Sequence, residues 1–117
     1  MATDSYTLRE LEAQLTRITE PGRSYEYVDS LEDAQGIWFL CPKCYQENGG
    51  AVGTHQVLCW FADRGVSDEE SPGPGRWNTS GTGLDDLSFV GPRAASVLLT
   101  DGCRWHGFVR QGRATLK

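Results

Sequence analysis

Apolar residues near the start of the chain follow the spacing of an α-helix. Over residues 7–19 they recur at intervals of three, four and three, which places them on one side of a helix. Polar residues fill the other positions, so the predicted helix is amphipathic. The apolar positions are Leu8, Leu11, Leu15 and Ile18.

The flanking residues also favour an N-terminal helix over 7–19. Thr7 followed by Glu10 fits a capping box at its start, and Pro21 with Gly22 ends the pattern. The helix would pack on the sheet of its own domain, because a small domain needs that apolar surface for its core. The alternative is a helix that docks a partner or a second copy.

After the predicted helix, the pattern changes to short strands separated by turn residues. An alternating run over 25–28 indicates an edge strand, and a continuous apolar run over 36–40 indicates a buried one. Acidic residues, glycines and prolines over 62–76 predict a loop that is either mobile or a contact arm. The predicted fold class is therefore α+β, mainly antiparallel β, with one N-terminal helix. The predicted strands are 25–28, 36–40, 54–61, 77–84 (tight or bulged), 96–99, 108–110 and 113–116.

Composition limits the size of the core and the range of partners. The 117 residues predict a single domain over 1–117, and only 38% of them are hydrophobic, so a metal staple would help a modest core. A net charge of −5 makes nucleic acid an improbable partner, because phosphate binding needs a basic face. No apolar run is long enough for a membrane span, so we expect no membrane association.

Two short motifs carry the most specific chemical signal. Cys41 and Cys44 form one pair of potential ligands, Cys103 and His106 form another, and two residues separate the members of each pair. This spacing lets one backbone turn place both side chains on one metal ion. Three thiolates and one imidazole complete a tetrahedral Zn²⁺ shell. The sequence therefore predicts a structural zinc site that staples a zinc-ribbon-like β domain over 25–117.

Two further residues compete with this ligand set. Cys59 and His55 fall in one predicted strand and could replace a ligand or form a second site with the first pair. We expect Cys59 to be a small buried hydrophobe and His55 a surface or hydrogen-bonded residue. A redox role for Cys41 and Cys44 would need their motif to open a helix. Because Pro42 lies inside the motif and the turn residues 48–50 follow, a metal site is favoured.

A closed zinc shell leaves few groups for catalysis. Once His106 is a ligand, His55 is the remaining histidine, and no hydrolase, nucleotide-binding or deaminase motif is present. We therefore expect a protein that is not an enzyme. The alternatives are a small zinc-dependent hydrolase or nucleic-acid-modifying enzyme with an open zinc, and a nucleic-acid-binding ribbon built on the C-terminal hairpin.

Parts of the chain resemble a family of small uncharacterised phage and prophage proteins with a zinc-ribbon-like site. The resemblance covers about residues 36–116, and its C-terminal segment is the most specific part. The matching features are the strand that enters Cys41-Pro42-Lys43-Cys44, His55 in the next strand, Trp77-Asn78 before a Ser/Gly turn, and Cys103-Arg104-Trp105-His106-Gly107-Phe108 with the residues up to Gly112.

The resemblance implies a phage protein that acts through protein–protein contacts, as a particle component or a host-interaction factor. Its location would be the host cytoplasm or the virion, and it could form an oligomer. The predicted helix, the 62–76 loop, Trp77 and Trp105 are the candidate contact residues.

Overall fold

The computed structural model describes residues 4–62, 64–67, 69–71, 76–91, 95–99 and 103–116. Their architecture is mostly antiparallel β with one α-helix, which confirms the coarse fold class. None of their helices is long and apolar enough to cross a membrane. The helix α1 covers Pro42–Asn48, and the strands are β1 (Ser5–Thr7), β2 (Gln14–Glu20), β3 (Ser24–Val28), β4 (Gly36–Leu40), β5 (Gln56–Trp60), β6 (Asn78–Ser80), β7 (Ser88–Val90), β8 (Val97–Leu98), β9 (His106–Gly107), β10 (Val109–Arg110) and β11 (Arg113–Thr115).

The prediction of an N-terminal helix over 7–19 is wrong. The capping box forms, with the Thr7 amide donating to Glu10 Oε1 at 3.0 Å, but it closes a single turn. Glu12 then takes a left-handed φ of 57°, and the amide of Ala13 donates back to the carbonyl of Leu8. These bonds end a helix in the Schellman manner. Strand β2 follows at once.

A second periodicity in the same residues explains this outcome. Leu11, Ala13 and Leu15 are buried and alternate with exposed Glu12 and Gln14, which is the period of a strand. The β-branched residues further along β2 favour the extended conformation too. Leu11 and Leu15 belong to both the helical spacing and the strand spacing. Pairing of β2 with its neighbouring strands selects the strand.

The central sheet has the strand order β3-β2-β4-β5, and all of its pairs are antiparallel. Strand β3 lies at one end of this order, as predicted for 25–28. Leu15, Ile37 and Cys59 stand directly opposite one another across β2, β4 and β5, and all are buried. This row forms part of the core face of the sheet.

The opposite face of the central sheet carries a tryptophan packed against a glycine. Thr16, Gly36 and Trp60 stand opposite one another in the register, and Trp60 is only 1% exposed. A Cβ on Gly36 would lie 2.5 Å from a ring carbon of Trp60, so only glycine fits there without a shift. The absence of a side chain at Gly36 therefore leaves room for the indole ring of Trp60 against β4.

The described residues of the 62–76 loop pack onto this second face. The carbonyl of Ser71 accepts a bond of 2.8 Å from the Trp60 indole, and the Glu70 carboxylate accepts one of 2.8 Å from the amide of Gly22. Arg64 donates to the carbonyls of Leu31 and Ala34. Loop residues 63, 68 and 72–75 lie outside the described part of the chain.

The C-terminal hairpin forms as predicted and ties the two ends of the described chain together. Gln111 and Gly112 have φ values of 50° and 74°, which suit a two-residue hairpin turn between β10 and β11. Strand β11 also pairs with β1, and Ser5 stands opposite Thr115. The pairs β6–β7 and β8–β9 form two smaller sheets. Buried apolar side chains from Leu8 to Ala114 join these parts in one cluster.

Candidate metal centre

The first cysteine pair lies at the start of α1. Strand β4 ends at Leu40, Cys41 is the N-cap residue, and Pro42 takes the first helical position. Proline suits that position because its fixed φ is helical and the missing amide has no partner there anyway. Cys44 follows within the first turn of the helix.

The expectation that turn residues follow the first cysteine pair in place of a helix is wrong. The glycines after Asn48 do not replace a helix but terminate one. Gly49 has a left-handed φ of 70°, and its amide donates to the carbonyl of Gln46. A glycine in this conformation is a common end of a helix. The helix is short because the turn residues 48–50, from which no helix was expected, end it.

A backbone hydrogen bond brings a histidine to the cysteine pair. The amide of Cys41 donates to the carbonyl of His55 at 2.9 Å, one step beyond the Leu40–Gln56 pair of β4 and β5. The antiparallel register therefore fixes His55 beside the end of β4. Its side chain is exposed and turns towards the thiols, with Nε2 3.2 Å from Sγ of Cys103.

Cys103 reaches the site from the far part of the chain. Its Sγ lies 3.5 Å from Sγ of Cys41, which is fully buried. The ammonium group of Lys43 donates to the carbonyl of Cys103 at 2.7 Å, so α1 holds the backbone of this segment. Both Cys44 and Cys103 are half-buried.

The four side chains form a group with the dimensions of a zinc site. Each residue offers one ligand atom, and these atoms all lie within 4.8 Å of one another; the residues are Cys41, Cys44, His55 and Cys103. Around a tetrahedral zinc ion with ordinary bond lengths, ligand atoms stand about 3.6–3.8 Å apart. Two contacts within the group, of 3.5 Å between the Cys41 and Cys103 sulfurs and 3.2 Å between His55 and Cys103, are near that separation. The residues present therefore fit a metal ion, and three soft thiolates with one imidazole suit zinc.

The fourth predicted ligand, His106, does not join this group. It begins β9 opposite Leu98, and its side chain is exposed. The preceding Trp105 is fully buried, and its indole donates to the carbonyl of Thr115 at 2.9 Å. Successive side chains of a strand point to opposite faces, so anchoring Trp105 in the core turns His106 outwards.

Antiparallel pairing is the signal that could have identified His55. The strands over 36–40 and 54–61 were both predicted, and a hairpin that pairs Leu40 with Gln56 places His55 next to Cys41. Local spacing favoured His106 because it relates only residues of the same turn, such as Cys103 and His106. Cys59, four residues after His55, is only 1% exposed and lies in the core, which confirms the prediction of a small buried hydrophobe.

The three thiols of the group differ in acidity. Burial raises the pKa of Cys41 to about 12, and burial also raises the pKa of Cys44. Burial acts in the same direction on Cys103, but hydrogen bonds from His55, from the Trp105 amide and from the other thiols outweigh it and lower its pKa to about 7. Because metal ligands must be deprotonated, Cys103 is the thiol most ready to bind an ion at neutral pH.

No family model, curated protein or solved structure matches the chain. The geometry of the site therefore carries the argument about function.

Proposed function

We propose that this protein binds one Zn²⁺ ion through Cys41, Cys44, His55 and Cys103, and that the ion is structural. The observation that carries the proposal is the convergence of these four ligand atoms within 4.8 Å. Four protein ligands complete the tetrahedral shell that structural zinc sites use. The zinc-ribbon-like character of the domain rests on this ion.

The ion would join parts of the fold that are distant in sequence. Cys41 and Cys103 are 62 residues apart, whereas Cys44 lies in α1 and His55 immediately precedes β5. Closing such a long loop removes conformational freedom from the unfolded chain. Zinc binding would therefore contribute directly to the stability of the folded state.

A filled shell favours a role without catalysis. A catalytic zinc keeps one coordination position for water or substrate, and a nearby carboxylate or histidine acts as the base. Here the fourth position goes to His55, the residue that the sequence left available as a base. A zinc-dependent hydrolase or nucleic-acid-modifying enzyme remains the alternative, and it requires His55 to leave the metal.

The module would act through protein–protein contacts, as the resemblance to phage proteins implies. Exposed hydrophobic side chains are the contact candidates, and among the described residues these are Tyr25, Tyr27, Val52, Val90 and Leu98. Tyr25 and Tyr27 lie together on β3, with their ring centroids 6.2 Å apart. Trp105, considered from the sequence, is fully buried and cannot serve this purpose. A particle component and a host-interaction factor, located in the virion or the host cytoplasm, both fit such a module.

Metal analysis tests the zinc proposal. Protein produced in zinc-containing medium should carry one zinc per chain by mass spectrometry under native conditions. X-ray absorption at the zinc edge should show three sulfur ligands and one nitrogen ligand. An oxygen ligand in place of the nitrogen would support the enzyme alternative, and a chain that stays metal-free with added zinc would refute the zinc site.

The contact role needs a separate test. Tyr25 and Tyr27 should be replaced together by serine, and wild type and variant should be compared in pull-downs from phage-infected host cells. Binding of the same proteins at the same yield by both would contradict the assignment of β3 as the contact surface. The zinc content of the variant, measured in parallel, shows whether its fold is intact.

A further inference from the structure

We propose that Cys103 is a peroxide-sensitive modification site, and that its oxidation links it to Cys41 in a disulfide and releases the zinc ion. This inference rests on the proposed zinc site. It adds redox regulation to that site. Cys41 and Cys103 would hold the fold together either as zinc ligands or as a disulfide.

The exposure of the two cysteines sets the order of events. Cys103 is half-buried, so a small oxidant can reach its sulfur, whereas Cys41 is 0% exposed. Oxidation at an accessible sulfur beside a second thiol is the arrangement found in redox-sensing cysteines. The accessible residue would be attacked first, and the buried one would complete the disulfide.

The distance between the sulfurs puts Cys41 within reach as the second partner. The two Sγ atoms are 3.5 Å apart, and a disulfide bond is about 2 Å long. Closing the gap therefore needs the two sulfurs to approach by about 1.5 Å, and the half-buried Cys103 is the partner with room to move. Cys59 cannot compete, because it lies 1% exposed inside the core.

The chemistry balances with a hydroperoxide as the oxidant. The Cys103 sulfur attacks one peroxide oxygen, the O–O bond breaks, and the leaving hydroxide takes up a proton to become water. Cys103 is then a sulfenic acid. The Cys41 thiolate attacks that sulfur, the S–O bond breaks, and a second hydroxide leaves as water after protonation. The two cysteines together lose two electrons, and hydrogen peroxide gains them.

Loss of two thiolates would release the metal. Cys44 and His55 would remain as ligands, and two ligands hold zinc far more weakly than four. The new covalent bond would join the same two points of the chain that the ion had joined. The fold would therefore stay crosslinked between Cys41 and Cys103 while the zinc ion is free to leave.

The sequence allows this disulfide to be mapped without ambiguity. Trypsin cuts after Lys43, so Cys41 falls in peptide 24–43 and Cys44 in peptide 44–64, whereas Cys103 falls in peptide 94–104. The variant Cys59→Ala removes the second cysteine of peptide 44–64. It also serves as the matched control, because its substitution lies in the core and outside the ligand group.

The experiment treats zinc-loaded wild type and Cys59→Ala with hydrogen peroxide and follows three quantities: zinc bound before treatment, zinc released to a coloured chelator, and crosslinked tryptic peptides. We expect one zinc released for each link between peptides 24–43 and 94–104 within one chain, and rebinding after reduction by dithiothreitol. Absence of zinc before treatment would refute the zinc site itself. Zinc that is bound but retained under peroxide, release without a disulfide, or a dominant link from peptide 44–64 would overturn the switch alone.

Discussion

His55 and Cys103 meet at 3.2 Å between Nε2 and Sγ, although 48 residues separate them in the sequence. This contact completes a group to which the C-terminal part of the chain contributes a thiolate and the central hairpin contributes the imidazole. The contact also identifies His55, and not His106, as the histidine of the Cys/His group. The first prediction follows from that choice.

Replacing His55 by alanine should weaken zinc binding by more than about 100-fold, because loss of a group that merely orients a metal ligand already costs about 10- to 100-fold. His106→Ala is the matched control and should leave the affinity unchanged, since His106 is exposed and lies outside the group. Competition with a chelator of known affinity measures both. Loss of zinc in His106→Ala with retention in His55→Ala would restore the ligand set expected from spacing.

Removal of zinc should lower the melting temperature. A ligand present at a thousand times its dissociation constant stabilises the folded state by about 4 kcal/mol, which for a domain of this size corresponds to a shift of more than about 10 °C. Thermal melts with added zinc and with a chelator measure the shift. Cys103→Ser, which lacks one thiolate ligand, should give the same thermal profile with zinc and with chelator, and a zinc-dependent change as large as that of wild type would contradict the prediction.

Two serine substitutions should separate the metal site from the core. Cys103→Ser should lose zinc and cooperative unfolding, because a neutral hydroxyl is a poor replacement for a thiolate ligand. Cys59→Ser should keep its zinc and lose about 1–3 kcal/mol, the cost of burying a hydroxyl group without a partner. Zinc content and thermal melts compare the two. Equal loss of zinc would mean that Cys59 belongs to the ligand set.

Gly36→Ala should destabilise the central sheet by about 1–3 kcal/mol, the usual cost of overpacking. The new Cβ would lie 2.5 Å from the Trp60 ring and 2.8 Å from the carbonyl of Cys59. The ring cannot move aside easily, because its indole nitrogen is bonded to Ser71. Gly83→Ala, where a Cβ meets nothing within 4 Å, is the control. Urea unfolding of both variants should show a loss in the first only.

Stability should depend on pH through Asp86. The amides of Thr82 and Gly83 and the Thr82 hydroxyl donate to its carboxylate and hold its pKa below the ordinary value. A carboxyl group with a lowered folded-state pKa adds stability above its unfolded pKa of about 3.9, and that stability is lost as the pH falls through the folded pKa. Asp86→Asn should therefore be less stable than wild type at neutral pH, and the difference should shrink below about pH 4. A difference that persists unchanged at pH 3 would argue against this role of the charge.

Local patterns in the sequence were sufficient for much of the fold. The apolar run before Cys41 became β4, the 54–61 strand contains β5, and the Gln111–Gly112 turn joins β10 and β11. In each case a single periodicity or turn signal was present without a competing one. The pairing of Cys41 with Cys44 also followed from local spacing, since thiols with two residues between them can share an ion.

Other features depended on long-range contacts, which the spacing of residues along the sequence does not reveal. Leu11 and Leu15 fit both a helix and a strand, and pairing of β2 with two neighbours decided between them. The fourth member of the Cys/His group depended on the register of β4 and β5 and on the burial of Trp105, which are tertiary properties. In both cases the local signal was present, but a longer-range interaction determined the outcome.

The pairing of β1 with β11 determines how the molecule would respond to mechanical force. Ser5 and Thr115 lie side by side at the open end of this ladder, so pulling them apart would break its hydrogen bonds one after another instead of all at once. Such unzipping needs little force. Once β11 has peeled away, the tension would reach Cys103, where an ion bound to Cys41 and His55 would stop the unravelling. The metal would then divide the chain into a C-terminal part that yields easily and a central sheet that bears the load.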